Sequence, residues 1–171
     1  MSAALRAGII AQRSNPEALV SIAERLAQLG LTISTPRPPQ ANYVPAVRTG
    51  NLVFLSGTGP YREDGSIVTG KVGAGLTLEQ GYEAARLTML ASLANLQAEI
   101  GDLERVRRIV KVLGMVNCTP EFTRQPEVIN GGSDLLVAIF GDRGRHARSA
   151  VGMAALPRDI AVEIEMVVEV D

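Results

Sequence analysis

The chain has 171 residues, 46% of them hydrophobic and 20% charged, which is enough apolar material for one compact core and too much for a disordered chain. One Cys (Cys118), one His (His146) and no Trp exclude an intrachain disulfide and CxxC redox chemistry, and any Cys/His zinc site would have to lean on carboxylates. A formal charge of −1 gives no chain-wide pull toward nucleic acid. No window is apolar enough for a membrane span or a signal segment, so the chain reads as cytoplasmic.

In chain order, Asn15-Pro16-Glu17 has the chemistry of a helix start: a capping acceptor, a Pro at the first helical position and an acid at the positive end. Leu19, Ile22, Ala23, Leu26 and Leu29 then share one face, and Gly30 supplies the stop. Thr35-Pro36-Arg37-Pro38-Pro39 fits neither helix nor central strand and reads as a stiff connector. Val44 to Val47 and Leu52 to Ser56 flank a Gly50-Asn51 turn and predict a β-hairpin.

Beyond a Gly- and Asp-rich loop, Thr77 and Gln80 form a capping-box pair ahead of Tyr82, Ala85, Met89, Leu93, Leu96 and Ile100, the stripe of a long helix that Gly101 ends. Val106 to Val116 reads as a strand, and Glu127 to Phe140 as a second helix despite Gly131-Gly132, whose propensity cost is about 2 kcal/mol. Ser149 to Ala155, a turn at Leu156-Pro157-Arg158-Asp159 and Ala161 to Val170 complete the chain. In the last run Val162, Ile164, Met166 and Val168 alternate with Glu163, Glu165 and Glu169, the period of a half-buried strand. The order predicts one α+β domain with a mixed sheet and helices packed on one face.

The segment richest in chemistry is Gly144-Arg145-His146-Ala147-Arg148-Ser149-Ala150, with Val162-Glu163-Ile164-Glu165 beyond it. Arg148 at the start of one strand, facing the carboxylate of Glu163 on a neighbouring strand, would hold a planar anion beside a group able to manage a water. From the residues alone, a surface salt bridge between adjacent strands accounts for the same pattern. His146 reads as a solvated loop residue, and Cys118 as a buried small hydrophobe.

Tyr43-Val44-Pro45, Leu55-Ser56-Gly57-Thr58-Gly59-Pro60, Arg148-Ser149, Leu156-Pro157-Arg158-Asp159 and Val162-Glu163-Ile164-Glu165 resemble, in order and spacing, the RidA (YjgF) family, also labelled endoribonuclease L-PSP. The resemblance covers residues 41–171, a RidA-like domain, and leaves residues 1–40 as an N-terminal extension. It implies a chorismate-mutase-like fold, a homotrimer with clefts at the subunit interfaces, and hydrolysis of enamine and imine acids such as 2-aminoacrylate to 2-keto acids and ammonia, without a cofactor or metal.

The same resemblance makes Arg148 the clamp for the substrate carboxylate and Glu163 the acid that orients or activates water. Tyr43 falls near the cleft mouth, Ser56 lines the cleft, Asn130 stands on the second helix close by, and Ala150 contributes its backbone carbonyl. Ala150 stands where deaminating members usually have Cys, and Gly152 where they usually have Glu. Those departures keep open a second reading, binding of a small carboxylate metabolite in the same cleft without turnover. The older ribonuclease label fits poorly with a balanced charge and few aromatic side chains for base stacking.

Overall fold

The structure, a computed structural model, describes residues 20–38 and 42–171. The predicted helix start at Asn15-Pro16-Glu17, together with Leu19, lies outside the described residues. Within them a short helix α1 (Ile22–Gln28) is capped by Ser21, whose hydroxyl accepts from the Glu24 N–H while Glu24 accepts from the Ser21 N–H. Ile22 is buried and Leu26 half-buried, but Ala23 and Leu29 are exposed, so the apolar face is narrower than the spacing predicts. The docking continues through Leu31 and Ile33 in the segment after the helix, which pack against the core.

Strand β1 (Ala46–Thr49) turns at Gly50-Asn51 into β2 (Leu52–Thr58), with Gly50 at a φ of 59° that suits a residue without a Cβ. Helix α2 (Leu78–Ile100) carries the expected Thr77–Gln80 capping box and ends at Gly101. Strand β3 (Val106–Asn117), helix α3 (Gln125–Phe140), strand β4 (Ala147–Met153) and strand β5 (Val162–Val170) follow. A 3-10 turn, Pro157–Asp159, occupies the predicted turn before β5.

The five strands form one sheet in the order β1-β2-β5-β3-β4. The pairs β1–β2, β2–β5 and β5–β3 are antiparallel, and only β3–β4 is parallel. The last strand is thus inserted at the centre, which its alternating pattern permits: Val162, Ile164, Met166, Val168 and Val170 are buried and the residues between them are not. Helices α2 and α3 cover one face through Met89, Leu93, Leu96, Ile129, Leu136 and Ile139, all fully buried against Val53, Ile109, Ile164 and Met166.

The two glycines of α3 are explained by this layer. A Cβ on Gly131 would lie 2.0 Å from the Tyr82 carbonyl oxygen of α2, and one on Gly132 would press on Met89 and Ile164. The propensity cost is outweighed by an approach of the two helices that no larger residue allows. Helix α1 lies against α3 of the same chain, and the Ile22 N–H donates to the Glu104 carboxylate.

Among the described residues no helix covers the opposite face of the sheet. Val47 pairs with Phe54 and Phe54 with Val167 across β1, β2 and β5, and Met115 pairs with Val151 across β3 and β4. Val47, Phe54 and Val151 are all exposed. No helix among the described residues is long and apolar enough to cross a membrane.

Candidate functional site

Arg148 sits one residue into β4, opposite Val112 of β3, which is buried under the helices. Cross-strand partners share a face, so the Arg148 side chain points to the helix side, where α3 meets it. Its Nη1 donates to Asn130 Oδ1 at 2.8 Å and to Ser133 Oγ at 3.0 Å. Asn130 and Ser133 are one turn apart on α3 and therefore present to the same strand. Both Nη1 protons are thereby used. Among the described residues the guanidinium has no carboxylate partner, and its Nε and Nη2 edge makes no hydrogen bond.

Behind Arg148 the network continues. Ser133 Oγ lies 3.0 Å from His146 Nε2, and His146 Nδ1 lies 2.7 Å from the Gly144 carbonyl oxygen. His146 is half-buried, with both ring nitrogens engaged, which corrects its reading as a solvated loop residue. Burial pushes its pKa down and the Arg148 charge adds to that, while the bond to Gly144 acts the other way. Sequence reasoning does not single out Ser133, and it takes His146 only as a solvated residue. The available signal was spacing: His146 stands two residues before Arg148 on an extended segment, and Ser133 three after Asn130 on a helix.

Glu163 stands elsewhere. It pairs with Met115, which pairs in turn with Val151, and lies on the face of the sheet without helices. The expectation that Arg148 and Glu163 face each other on neighbouring strands is therefore corrected: β3 runs between β4 and β5, and the two side chains leave opposite faces. The cause is the central insertion of β5, which nothing in the local sequence announces.

The neighbour Glu163 does have is Gly57. A Cβ on that glycine would fall 1.9 Å from Glu163 Oε1, so the carboxylate rests directly on the bare backbone of β2, at the irregularity between Leu55 and Thr58. Burial raises the Glu163 pKa above the usual carboxylate range, and the charge of Glu165 adds to it. Among the described residues Glu163 has no hydrogen-bond or ion-pair partner.

Ser56, beside Gly57, donates its hydroxyl to the Val44 carbonyl at 2.7 Å, and its N–H donates to the Pro45 carbonyl. It thus fastens the Tyr43-Val44-Pro45 segment to the end of β2. Tyr43 is 49% exposed, a surface rather than a core side chain. With Ser56 and Gly57 it lines a cavity of about 620 Å³ between α2 and residues 30–38.

Ala150 is half-buried opposite Gly114, two residues beyond Arg148 on the same face. At Gly152 a Cβ would lie 2.8 Å from Cys118 Sγ and 2.9 Å from Gln125 Nε2. Cys118 is buried as expected, and it and Gln125 occupy the place a longer side chain at position 152 would need. One chain therefore holds Arg148 with Asn130, Ser133 and His146 in one cluster and Glu163 over Gly57 in another place, while Tyr43, Ser56 and Gly57 line a cavity that Glu163 does not line.

Comparison with known proteins shows what the chain as a whole is similar to. Residues 23–169 match the model of the YjgF/chorismate-mutase-like endoribonuclease family. Protein TCP17 of Trypanosoma cruzi is 43% identical over 151 residues, covering 88% of this chain and 94% of that protein. The crystal structure of Atu1372 from Agrobacterium tumefaciens, described as of unknown function, is 43% identical with a TM-score of 0.80, over 88% of this chain and 92% of that one. RidA from an Antarctic Psychrobacter is 25% identical with a TM-score of 0.57, over 81% and 96% of the two chains.

Proposed function

The chain belongs to the YjgF/chorismate-mutase-like endoribonuclease family, and from that premise we propose that it hydrolyses reactive 2-imino and enamine acids, such as 2-aminoacrylate, to 2-keto acids and ammonia. The observation that carries this reading is the unpaired outer edge of Arg148. Two α3 side chains hold its inner nitrogen, and the Nε and Nη2 edge has the fork geometry that receives a carboxylate with two parallel bonds. Such a contact is worth roughly 1.5–3 kcal/mol, suited to a metabolite held weakly and by its acid group.

The chemistry asks little more of the protein. Water adds to C2 of the imine, giving a carbinolamine. The C2–N bond then breaks, releasing ammonia and leaving the keto acid. Glu163 takes one proton from the attacking water and passes it to the imine nitrogen, then takes the carbinolamine hydroxyl proton and passes it to the departing nitrogen. An enamine such as 2-aminoacrylate first tautomerises to the imine by moving a proton from nitrogen to C3. A carboxylate whose pKa is raised by burial is a stronger base than an exposed one and a usable acid once protonated. Positioning supplies the rest, because the substrate is already unstable in water.

Arg148 and Glu163 leave opposite faces of one sheet, so this reaction needs the Arg148 cluster of one copy against the Glu163 cluster of another. The proposed assembly is a homotrimer, in which a head-to-tail contact closes on itself and makes three equal sites. The exposed apolar side chains Val47, Phe54 and Val151 on the face without helices support burial of that face against further copies.

The test is ammonia release from 2-aminoacrylate generated in situ. Release is expected to rise with the protein and to fall to background with Arg148→Ala; an unchanged rate in the variant contradicts the reading. The absence of a carboxylate at position 152 favours a second reading, in which the same Arg148 edge binds a 2-keto acid without turnover. Heat of binding with 2-ketobutyrate and no hydrolysis of any imine tried would select it.

A further inference from the structure

We propose that His146, acting through Ser133, is a positioning residue that fixes the orientation of the Arg148 guanidinium. The inference rests on the carboxylate-clamp reading of Arg148 and extends it to two residues that touch no substrate. It stands on a chain of hydrogen bonds whose direction is set at both ends. A guanidinium only donates, so Ser133 Oγ accepts from Arg148 Nη1 at 3.0 Å. A backbone carbonyl only accepts, so the proton of the neutral imidazole is on Nδ1, donated to Gly144 at 2.7 Å.

Nε2 is then a lone pair, and the Ser133 hydroxyl hydrogen has one use, donation to Nε2 at 3.0 Å. The order is Arg148 to Ser133 to His146 to the Gly144 carbonyl, with no group asked to donate and accept the same proton. The half-buried setting and the adjacent Arg148 charge both favour the neutral ring that this order requires.

The consequence falls on Arg148. With Asn130 Oδ1 on one Nη1 hydrogen and Ser133 Oγ on the other, the guanidinium plane cannot rotate, and the Nε–Nη2 edge keeps one direction. Without His146, the Ser133 hydroxyl loses the acceptor that orients it, and its lone pairs no longer have a fixed aim at Nη1. Arg148 keeps its charge and loses its preorganisation. The groups facing the ring are Ser133 from α3, the carbonyl of buried Gly144 before β4 and Arg148; of these only Arg148 is charged.

The experiment measures 2-ketobutyrate binding by calorimetry for the full chain and for His146→Ala, His146→Gln, Ser133→Ala and the Ser133→Ala/His146→Ala double variant. His146→Ala is expected to weaken binding about tenfold, and His146→Gln to restore most of it, because the glutamine oxygen accepts from Ser133. The double variant is expected to be no weaker than Ser133→Ala alone, the non-additivity of groups acting in series. In imine hydrolysis the same loss is expected in KM with kcat retained.

Because the chain has a single histidine, its imidazole ¹⁵N resonances are unambiguous. They should report a protonated Nδ1, and they should shift on adding 2-ketobutyrate to the wild type but not to Ser133→Ala. Unchanged binding in His146→Ala, additive losses in the double variant, or a proton on Nε2 would overturn the proposal while leaving the clamp intact. A wild-type protein that binds no 2-ketobutyrate, with Arg148→Ala indistinguishable from it, would overturn the clamp reading and this inference with it.

Discussion

Arg148 and Glu163 lie on opposite faces of one sheet with β3 between them: Arg148 faces α3 opposite Val112, and Glu163 lies over Gly57 on the side without helices. In one chain the two side chains cannot meet at a common ligand. The arginine is held on its inner edge and open on its outer one. The carboxylate is half-buried and unpaired among the described residues. Burying an ionisable group without a partner costs stability, and sites that bind or react are where such costs are tolerated.

Arg148→Lys is expected to keep the fold and the positive charge but not the two-pronged edge. Weaker binding of 2-keto acids by about 10- to 100-fold follows from the loss of about 1.5–3 kcal/mol, read by calorimetry with 2-ketobutyrate. Arg148→Ala should lose at least as much, and it also strips Asn130 and Ser133 of their shared donor. Equal affinities for wild type and Arg148→Lys would show that charge alone is recognised.

For Glu163→Gln, rate and stability should move in opposite directions. Removing the base is expected to cost about 10²- to 10⁴-fold in kcat. The folded-state pKa of Glu163 is raised above its ordinary value near 4.5, so between that value and the raised one the folded chain holds more proton than the unfolded chain. Stability contributed by the protonated carboxyl is therefore lost as pH rises through that window. Glu163→Gln removes the loss, and its Tm should exceed that of the wild type at pH 7 and match it near pH 4. A lower Tm for the variant at pH 7 would contradict the assignment of burial as the dominant cause.

Gly57→Ala asks whether the resting place of the carboxylate matters. The added methyl would fall 1.9 Å from Glu163 Oε1, and the side chain can swing away at its far end, so the protein should fold normally. Its kcat should nevertheless drop toward that of Glu163→Gln, because displacement by about 1 Å is enough to spoil a reacting geometry. Retained kcat in a folded Gly57→Ala protein would remove Glu163 from the proton-transfer role.

Gly131→Ala sets helix propensity against packing. Alanine favours a helix interior by about 1 kcal/mol, but here its Cβ would meet the Tyr82 carbonyl oxygen at 2.0 Å, a backbone atom that cannot swing aside. Overpacking of about 1–3 kcal/mol should win, lowering Tm in thermal unfolding. A raised Tm would mean that α2 and α3 separate at little cost.

Local patterns carried most of the architecture. The Thr77–Gln80 capping box, the Gly50-Asn51 turn and the alternation of Val162 to Val170 are each complete within a few residues, and each element formed where its pattern lies. What local pattern cannot carry is which strand lies beside which. Nothing within residues 162–170 says that they enter between β2 and β3, so local pattern sets Arg148 and Glu163 on neighbouring strands where the structure puts β3 between them. His146 was undervalued for a related reason: its worth lies in Ser133, thirteen positions back, which α3 brings within 3.0 Å. At α1, Leu29 fits the helical stripe by spacing yet is 44% exposed, since the helix ends at Gln28 and Leu29 is its C-cap.

The proposed working site takes Arg148 from one copy and Glu163 from another. It is tested most directly by complementation: Arg148→Ala and Glu163→Gln chains, each with its own tag, are co-expressed, and doubly tagged assemblies are purified and assayed for imine hydrolysis. In a three-membered ring of head-to-tail contacts, every doubly tagged assembly pairs an intact Arg148 with an intact Glu163 at about one site in three. The account predicts about that fraction of wild-type activity from two variants that are each inactive alone. Mixed assemblies no more active than either variant would contradict it.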